Sequence, residues 1–428
     1  MNHALSPLIF LILRLGLVAL VIVFLERPAL AESRKSEHQS RTSLSIEPDF
    51  AVATGRKVDL LVRDNYFDRQ KLEKVWKPAF ARAREKLENC RDLATLHDIL
   101  NGCLAGLETS HCEFATINDE IFHFLHSLFG SFEKPDAKEK IGRGPVAFVG
   151  FVTGGPKRKR DVIRYVLDGS PASKTGLSPG DRIISVDGLP YKGYSDFLGR
   201  QQEKLRIVIE RRGERRELTL TPEKKDLYEA YVEAMRKSVR IIERNGRKLG
   251  YIHVWCGGMK SHDALIDLLQ DKLLATDGLI FDLRDGYGGN SLDDLDWFYR
   301  TRKAYPVFKT TDRNGKTSTE QELYDRPMVA LINEGSRSGK ELLAFSLKST
   351  GRARLVGTTT AGAVVAGRLF PINSKCSLYL SILDITVAGE RIEGKGVEPD
   401  CLLELDDDSR KESTDNQIEK ALEILDKI

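Results

Sequence analysis

The sequence predicts a multi-domain α+β protein: a helical N-terminal domain, a β-rich middle domain and an α/β core. Three observations carry that expectation. The chain has 428 residues, enough for two to four domains at roughly 100–200 residues each. Apolar residues recur at helical spacing early on, at Leu72, Val75, Trp76 and Phe80 and again at Leu93, Leu96, Ile99, Leu100 and Leu104. From residue 249 onward, apolar strands alternate with helical segments, as in a sheet covered by helices.

Taken in order, the first element is a leader. Residues 15–25 (LGLVALVIVFL) form an unbroken apolar run after Arg14, and Pro28-Ala-Leu-Ala31 follows. Small residues at Ala29 and Ala31 behind such a run are the signature of a secretory signal peptide, cleaved after Ala31. The alternative is a retained anchor lengthened by the apolar 8–13, against which Arg14 in its middle weighs. The expected location is periplasmic or secreted, or, with a retained anchor, membrane-bound facing the cell exterior. No second segment approaches membrane-spanning length.

Residues 32–55 are polar and read as a linker, and 56–144 as the helical domain, closing with an apolar helix at 121–132. Between 145 and 222 the period changes: 146–152 and 161–167 are strand-like, and 205–208 with 218–220 flank a hairpin turn at Gly213. A charged helical connector is expected over 223–248. In the core, 249–406, strands are expected at 251–255, 279–283, 328–332 and 355–357, with helices at 263–273 and 340–347. The tail, 407–428, begins acidic and ends in an amphipathic helix.

Composition excludes several functions. Sixty-six basic against 63 acidic side chains leave a formal charge of +3, which gives no footing for a nucleic-acid surface. Six cysteines are too few for a disulfide scaffold at this length, and neither CxxC nor HExxH occurs. The cysteines could pair in an oxidising compartment, with connectivity undetermined. No metal or organic cofactor is implied. The basic run Lys157-Arg-Lys-Arg160 follows a Gly-Gly-Pro turn and reads as a solvated hairpin tip.

Three stretches carry the chemistry. The first runs from Gly169 to Gly188 (GSPASKTGLSPGDRIISVDG). It resembles the PDZ domain of secreted proteases, whose signature is GSPA, then AGL, then GD-I-VDG. Such domains bind extended peptide ends along a sheet edge. The resemblance places the peptide-binding loop at Val149, Gly150 and Phe151. A PDZ-shaped domain that only packs internally is the alternative.

The second stretch, Gly278 to Asn290 (GLIFDLRDGYGGN), is an apolar strand entering a glycine-rich turn whose N–H groups could hold an oxyanion. A phosphate loop is the rival, but no GK[ST] follows. In the third, from Met328 to Ala344 (MVALINEGSRSGKELLA), a strand ends in a turn bearing Ser336 and Ser338, and a helix begins near Gly339. A serine at such a junction lies beside unpaired helix N–H groups. Either serine could instead merely cap the helix.

The succession of these three stretches resembles the carboxyl-terminal processing (tail-specific) serine proteases over 57–406. The resemblance implies an α/β core of the ClpP/crotonase type and makes Ser338 the nucleophile. The common branch of that family places a lysine base where this chain has Ala363. The departure leaves two readings: a catalytically silent protein, or the branch typified by the tricorn protease, where histidine is the base. The second is matched by Thr109-Ser-His111, and by Arg391-Ile-Glu-Gly-Lys-Gly-Val-Glu-Pro-Asp400. The resemblance then assigns His111 as general base, Ser110 as orienting hydroxyl and Glu393 as the carboxylate behind it. Gly339, Gly288 and Gly289 would supply the oxyanion hole.

Other candidates take bland roles. His123 and His126 share one apolar helix face and read as packing residues, and His253 as structural within a strand. His97 and His262 lack a chemical neighbourhood. Lys340 is expected to be solvated, while Lys375 and Lys395 are distant substitutes for a lysine base. Cys112, beside His111, is a weak rival nucleophile. The expected function is an exported serine endopeptidase acting on unfolded or C-terminal polypeptide segments, with homo-oligomerisation compatible. The alternatives are a silent binding protein, as among the family's retinoid-binding members, or a PDZ-led scaffold.

Overall fold

The structure, a computed structural model, describes residues 44–130, 142, 144–155, 159–299, 308–311, 313–315, 317–320, 324–406 and 415–428. The expected signal peptide (1–31), the first half of the expected linker (32–43), Lys157, Arg158 and the acidic stretch 407–414 lie outside the described residues. Among the described residues no helix is long and apolar enough to cross a membrane.

The first helix, Pro48–Asn65, starts inside the expected linker. Pro48 sits in its first turn, where a fixed φ suits the helix and no N–H is missed. Lys77–Glu88 and Leu93–Ala105 follow, the latter capped by the Asp92 side chain accepting from Thr95 N. Their buried faces, with Trp76, Phe80, Leu96 and Leu100, close on Phe114, Leu378 and Leu380. Those last three come from a three-stranded sheet in which Cys376–Leu383 lies between Glu113–Thr116 and Ala366–Asn373. The sequence reading did not anticipate this sheet. Ala366–Asn373 contains Gly367 and Pro371, two residues that argue against a strand, and no position in it is fully buried.

In the middle region, the single strand expected at 146–152 is two, Val146–Phe148 and Phe151–Thr153. Gly150 breaks it with φ 82°, and a Cβ there would stand 2.1 Å from Ser170 Cβ. Phe151–Thr153 pairs with Ile163–Val166. A four-stranded sheet runs in the order Leu189–Pro190, Arg182–Val186, Leu205–Arg211, Glu214–Leu220. Ser170 caps the short helix Pro171–Thr175, and Gly176 ends it at φ 82°.

The helical connector expected over 223–248 is a helix flanked by strands. Glu223–Lys225 pairs with Val146–Phe148, the helix is Leu227–Ser238, and Arg240–Arg244 pairs with Arg247–His253. Asp226 caps the helix by accepting from Glu229 N, so the helix cannot extend upstream of it. Val239, Ile241 and Ile242 are β-branched and favour the strand that follows.

The core sheet has six strands: Arg240–Arg244, Arg247–His253, Gly278–Asp282, Met328–Ile332, Arg354–Gly357 and Cys401–Leu402, in that spatial order. From the second strand onward neighbours are parallel. Met328–Ile332 is buried throughout because both faces are covered. Ala330 and Ile332 join the large central core, while Val329 and Leu331 pack toward Leu422 and Leu425 of the C-terminal helix, Asn416–Leu425. Residues 43–428 form one compact unit. Adjacent parallel strands end side by side, which is where open α/β sheets place their sites. Here the loops after Gly278–Asp282 and Met328–Ile332 carry Gly288 and Ser338.

Candidate active site

The turn after Met328–Ile332 is pinned from beneath. Ser336 is fully buried, donates to Leu283 O at 2.9 Å and accepts from Asn333 N at 3.0 Å. It is a structural brace. Ser338, two residues on, is half-buried and holds φ 57° and ψ −128°, a conformation that costs about 1–3 kcal/mol and clusters at functional sites. Its amide donates to Ala363 O at 2.8 Å and to Glu341 Oε2 at 3.2 Å. Buried Glu341 also accepts from Gly362 N and Ala363 N, at 2.7 Å each, and from Thr360 Oγ1 at 2.6 Å. Burial pushes its carboxyl up while these donors pull it back. Ala363, at the expected lysine position, is thus against Ser338 in space but carries no base.

His111 follows Leu93–Ala105 on a turn held by Lys71, whose Nζ donates to Leu107 O at 2.6 Å and to Thr109 Oγ1 at 3.2 Å. His111 is 5% exposed, with φ 57°. Its Nδ1 lies 2.8 Å from Ser110 Oγ, and Ser110 Oγ donates to Glu393 Oε2 at 3.0 Å. Glu393 Oε1 accepts from Ser110 N at 2.9 Å, and Oε2 from Val364 N at 2.7 Å and Val365 N at 3.2 Å. A hydroxyl has one hydrogen, and it goes to the carboxylate. Ser110 Oγ therefore accepts from Nδ1–H, leaving Nε2 of His111 as the basic nitrogen. Burial, then the positive charge of Arg337, lowers the His111 pKa to about 3, so the imidazole is neutral near pH 7.

His111 and Ser338 line one cavity of about 260 Å³ together with Gly288, Gly289, Asn290 and Gly339. Gly288 is close to the serine: a Cβ there would lie 2.5 Å from Ser338 Cβ and 3.1 Å from its Oγ. The carbonyls of Gly288 and Gly289 accept from Gly257 N and Gly258 N, each at 2.9 Å. Arg337 also lines it, and most of the remaining wall is apolar, including Phe124, Leu128, Val365 and the ring of Tyr379. Such a lining raises the worth of every polar contact inside.

Val149 and Phe151 lie elsewhere, buried in the core of the β-rich domain, and Gly150 O is engaged by Leu167 N at 2.8 Å. His123 bonds Ile117 O at 2.8 Å, His126 bonds Ser377 Oγ at 2.6 Å, and His253 stacks on Trp255 at 3.5 Å, all structural placements. Two expectations fail. Lys340 is not solvated: it is fully buried, donates to Asp285 O, and burial lowers its pKa to about 8. His262 and His97 do have chemical neighbours: His262 Nδ1 lies 2.7 Å from Asp294 Oδ1, and His97 Nδ1 lies 3.2 Å from Asp98 Oδ1. Lys395 is exposed, Lys375 lies over the Phe50 ring, and neither lines the cavity. All six cysteines are free, and burial raises the Cys112 thiol.

Sequence reasoning missed Arg337 and Asn290. Arg337 stood in the motif, between the two serines, without a role. Asn290 ends the glycine-rich stretch. Its Nδ2 donates to Asp294 Oδ2 at 2.9 Å, and its buried Oδ1 has no hydrogen-bond partner. Nothing in the sequence linked Asn290, Asp294 and His262.

Comparisons with known proteins follow the same lines. Residues 248–403 match the model of Peptidase family S41, and 140–221 that of the PDZ domain. The chain is 25% identical over 334 residues to a carboxyl-terminal-processing protease of Synechocystis, covering 72% of this chain and 77% of that protein. It is 26% identical over 328 residues to the carboxy-terminal processing protease CtpB of Bacillus subtilis, covering 72% and 64%. To the tricorn protease of Thermoplasma volcanium it is 24% identical over 393 residues, 85% of this chain but 35% of that one. Among solved structures, the tricorn protease superposes with a TM-score of 0.53 at 20% identity over 88% of this chain and 36% of the other, a likeness of fold. These matches define a serine-type peptidase carrying a PDZ domain. The chain is thus similar to the carboxyl-terminal processing (S41, tail-specific) serine proteases, through a peptidase segment at 248–403 and a PDZ segment at 140–221, and also to the tricorn protease.

Proposed function

We propose that the chain is a tail-specific serine endopeptidase in which Ser338 is the nucleophile and His111 the base. The observation that carries this reading is the continuous path Glu393–Ser110–His111 ending at a cavity that Ser338 shares. His111 Nε2 takes the hydroxyl proton as Ser338 Oγ bonds to the scissile carbonyl carbon. The oxyanion lies against the N–H of Gly339 and one from the Gly288–Gly289 turn, where fixed dipoles in an apolar cavity are most effective. His111, now charged, gives its proton to the leaving amine, and water reverses the sequence on the acyl-enzyme. During the charged interval Glu393, through Ser110, stabilises the imidazolium. The absent lysine at Ala363 is accounted for, because the histidine takes its duty.

The relatives' names support substrates presenting C-terminal or unfolded segments, with export as expected from the leader. The parallel sheet with its site at adjacent strand ends supports a ClpP/crotonase-type core. We read the domains as a helical unit, expected over 56–144 but beginning at the helix Pro48–Asn65, a PDZ unit over 145–222, and a core of 249–406 whose sheet also takes in Arg240–Arg244 from the expected connector 223–248. The test compares cleavage of an unfolded protein, and labelling by a fluorophosphonate, in wild type, Ser338→Ala and His111→Ala. Loss of both signals in both variants is expected. Full activity in His111→Ala sinks the histidine assignment, and full activity in Ser338→Ala sinks the serine mechanism.

A further inference from the structure

A second pocket, of about 130 Å³, lies in the PDZ domain away from Ser338. Its wall is aromatic, from Phe151, Tyr191, Tyr194 and Phe197, with Thr153 at one side. One lining residue is foreign to that domain: Glu120, the first residue of the helix Glu120–Gly130. Tyr191 and Tyr194 do not donate to it. Tyr191 Oη pairs with Thr153 Oγ1 at 3.2 Å, and Tyr194 Oη donates to Ala147 O at 2.6 Å. The single hydrogen bond to the Glu120 side chain comes from Tyr231 Oη, at 3.2 Å.

Among the described residues no cation pairs with this carboxylate, and its charge is felt by Tyr165, Tyr191, Tyr194, Tyr231 and Tyr287. A helix N-terminus favours an acid in its first turn. Here burial outweighs that, raising the carboxyl to about 7. An acid chosen only for the helix would gain more by pointing to water, because an uncompensated buried charge is costly. Among the described strands, Phe151–Thr153 beside the pocket pairs with Ile163–Val166 alone, which leaves its other edge without a strand partner of the kind peptide ligands supply.

We propose that this pocket receives a lysyl or arginyl side chain of a polypeptide laid along the Phe151–Thr153 edge, its cation meeting Glu120 among the aromatic rings. The proposal rests on the reading that polypeptide is the substrate, and it gives that substrate a chemistry. The pieces are complementary: rings attract a desolvated cation, and the carboxylate supplies the opposite charge. A free C-terminal carboxylate in the same pocket would meet like charge and be rejected. The PDZ domain would then select segments by a basic residue and apolar backbone, and the chain end itself would remain free for the distant cavity.

The test uses Ser338→Ala protein, so that binding is read without cleavage and independently of the serine mechanism. Fluorescence anisotropy compares an extended apolar peptide bearing one lysine with the same peptide bearing acetyl-lysine, both with amidated ends. The lysine peptide is expected to bind about tenfold or more tightly, the scale of a charge-assisted pair. Adding Glu120→Gln should erase that difference by weakening only the lysine peptide. Equal binding of the two peptides to Ser338→Ala protein overturns the proposal without any change at Glu120. So does a lysine preference that survives Glu120→Gln, or tighter binding of an acetyl-lysine peptide with a free carboxylate end than of the amidated lysine peptide. Absence of proteolysis in the wild-type protein, with the lysine preference intact in Ser338→Ala, would sink the serine mechanism and leave this site standing.

Discussion

Glu393 and Ser110 are 283 residues apart in sequence, yet the two oxygens of one hold the amide of the other at 2.9 Å and its hydroxyl at 3.0 Å. Because Ser110 immediately precedes His111, this one contact sets the position and tautomer of the imidazole. Glu393→Gln keeps the shape but removes the charge facing the imidazolium that forms. A charged hydrogen bond is worth about 1.5–3 kcal/mol, so kcat should fall about ten- to a hundredfold. KM should change little, since the carboxylate does not line the cavity. Steady-state kinetics on an unfolded substrate measure both, and an unchanged kcat would dissociate Glu393 from catalysis.

In the proposed mechanism Arg337 sets the acid limb of activity. His111 must be neutral to act as base, so activity should be lost as pH falls through its pKa. Burial and Arg337 both lower that pKa. Arg337→Gln removes one of these causes, and the acid limb of kcat/KM should move to higher pH. A limb that stays in place, or moves lower, would show that the arginine does not act on His111.

Gly288→Ala tests the closeness of the glycine turn to the nucleophile. The new methyl would lie 2.5 Å from Ser338 Cβ, so the serine must move. Displacing a reacting group by about 1 Å can cost about a hundredfold in rate. A large fall in kcat with a folded circular dichroism spectrum is expected.

Lys340 makes stability depend on alkaline pH. Its pKa is lowered from 10.5 to about 8 in the folded chain, so between those values the unfolded chain binds more protons. Stability from this group therefore rises as pH climbs from 8 to 10.5, by an amount on the order of 3 kcal/mol. Urea unfolding of wild type and Lys340→Met across that range should show the rise in wild type alone. A parallel pH dependence in the two proteins would contradict it.

Cys112 should be dispensable. Its thiol donates to Ser381 Oγ at 3.4 Å, and burial raises its pKa, so it is not a thiolate. Cys112→Ala is expected to keep peptidase activity within about twofold, since a neutral thiol is not the attacking group, and iodoacetamide should not inactivate the wild type.

Much of this molecule was written in local sequence. Met328–Ile332 was legible to the residue, because a strand buried on both faces reads as an unbroken apolar run. The Gly169–Gly188 stretch and Thr109-Ser-His111 were also legible, through their resemblance to family motifs. Tertiary structure decided what depends on distant neighbours. The strand Ala366–Asn373 exists despite Gly367 and Pro371 because it pairs with Cys376–Leu383. Lys340 is buried because the Asp285 loop closes over it, which no helical periodicity reveals. Likewise the sequence named Ser338, His111 and Glu393 separately. Only folding, by ending two parallel strands side by side and bringing Glu393 against Ser110, placed His111 and Ser338 at one cavity with Glu393 behind the histidine.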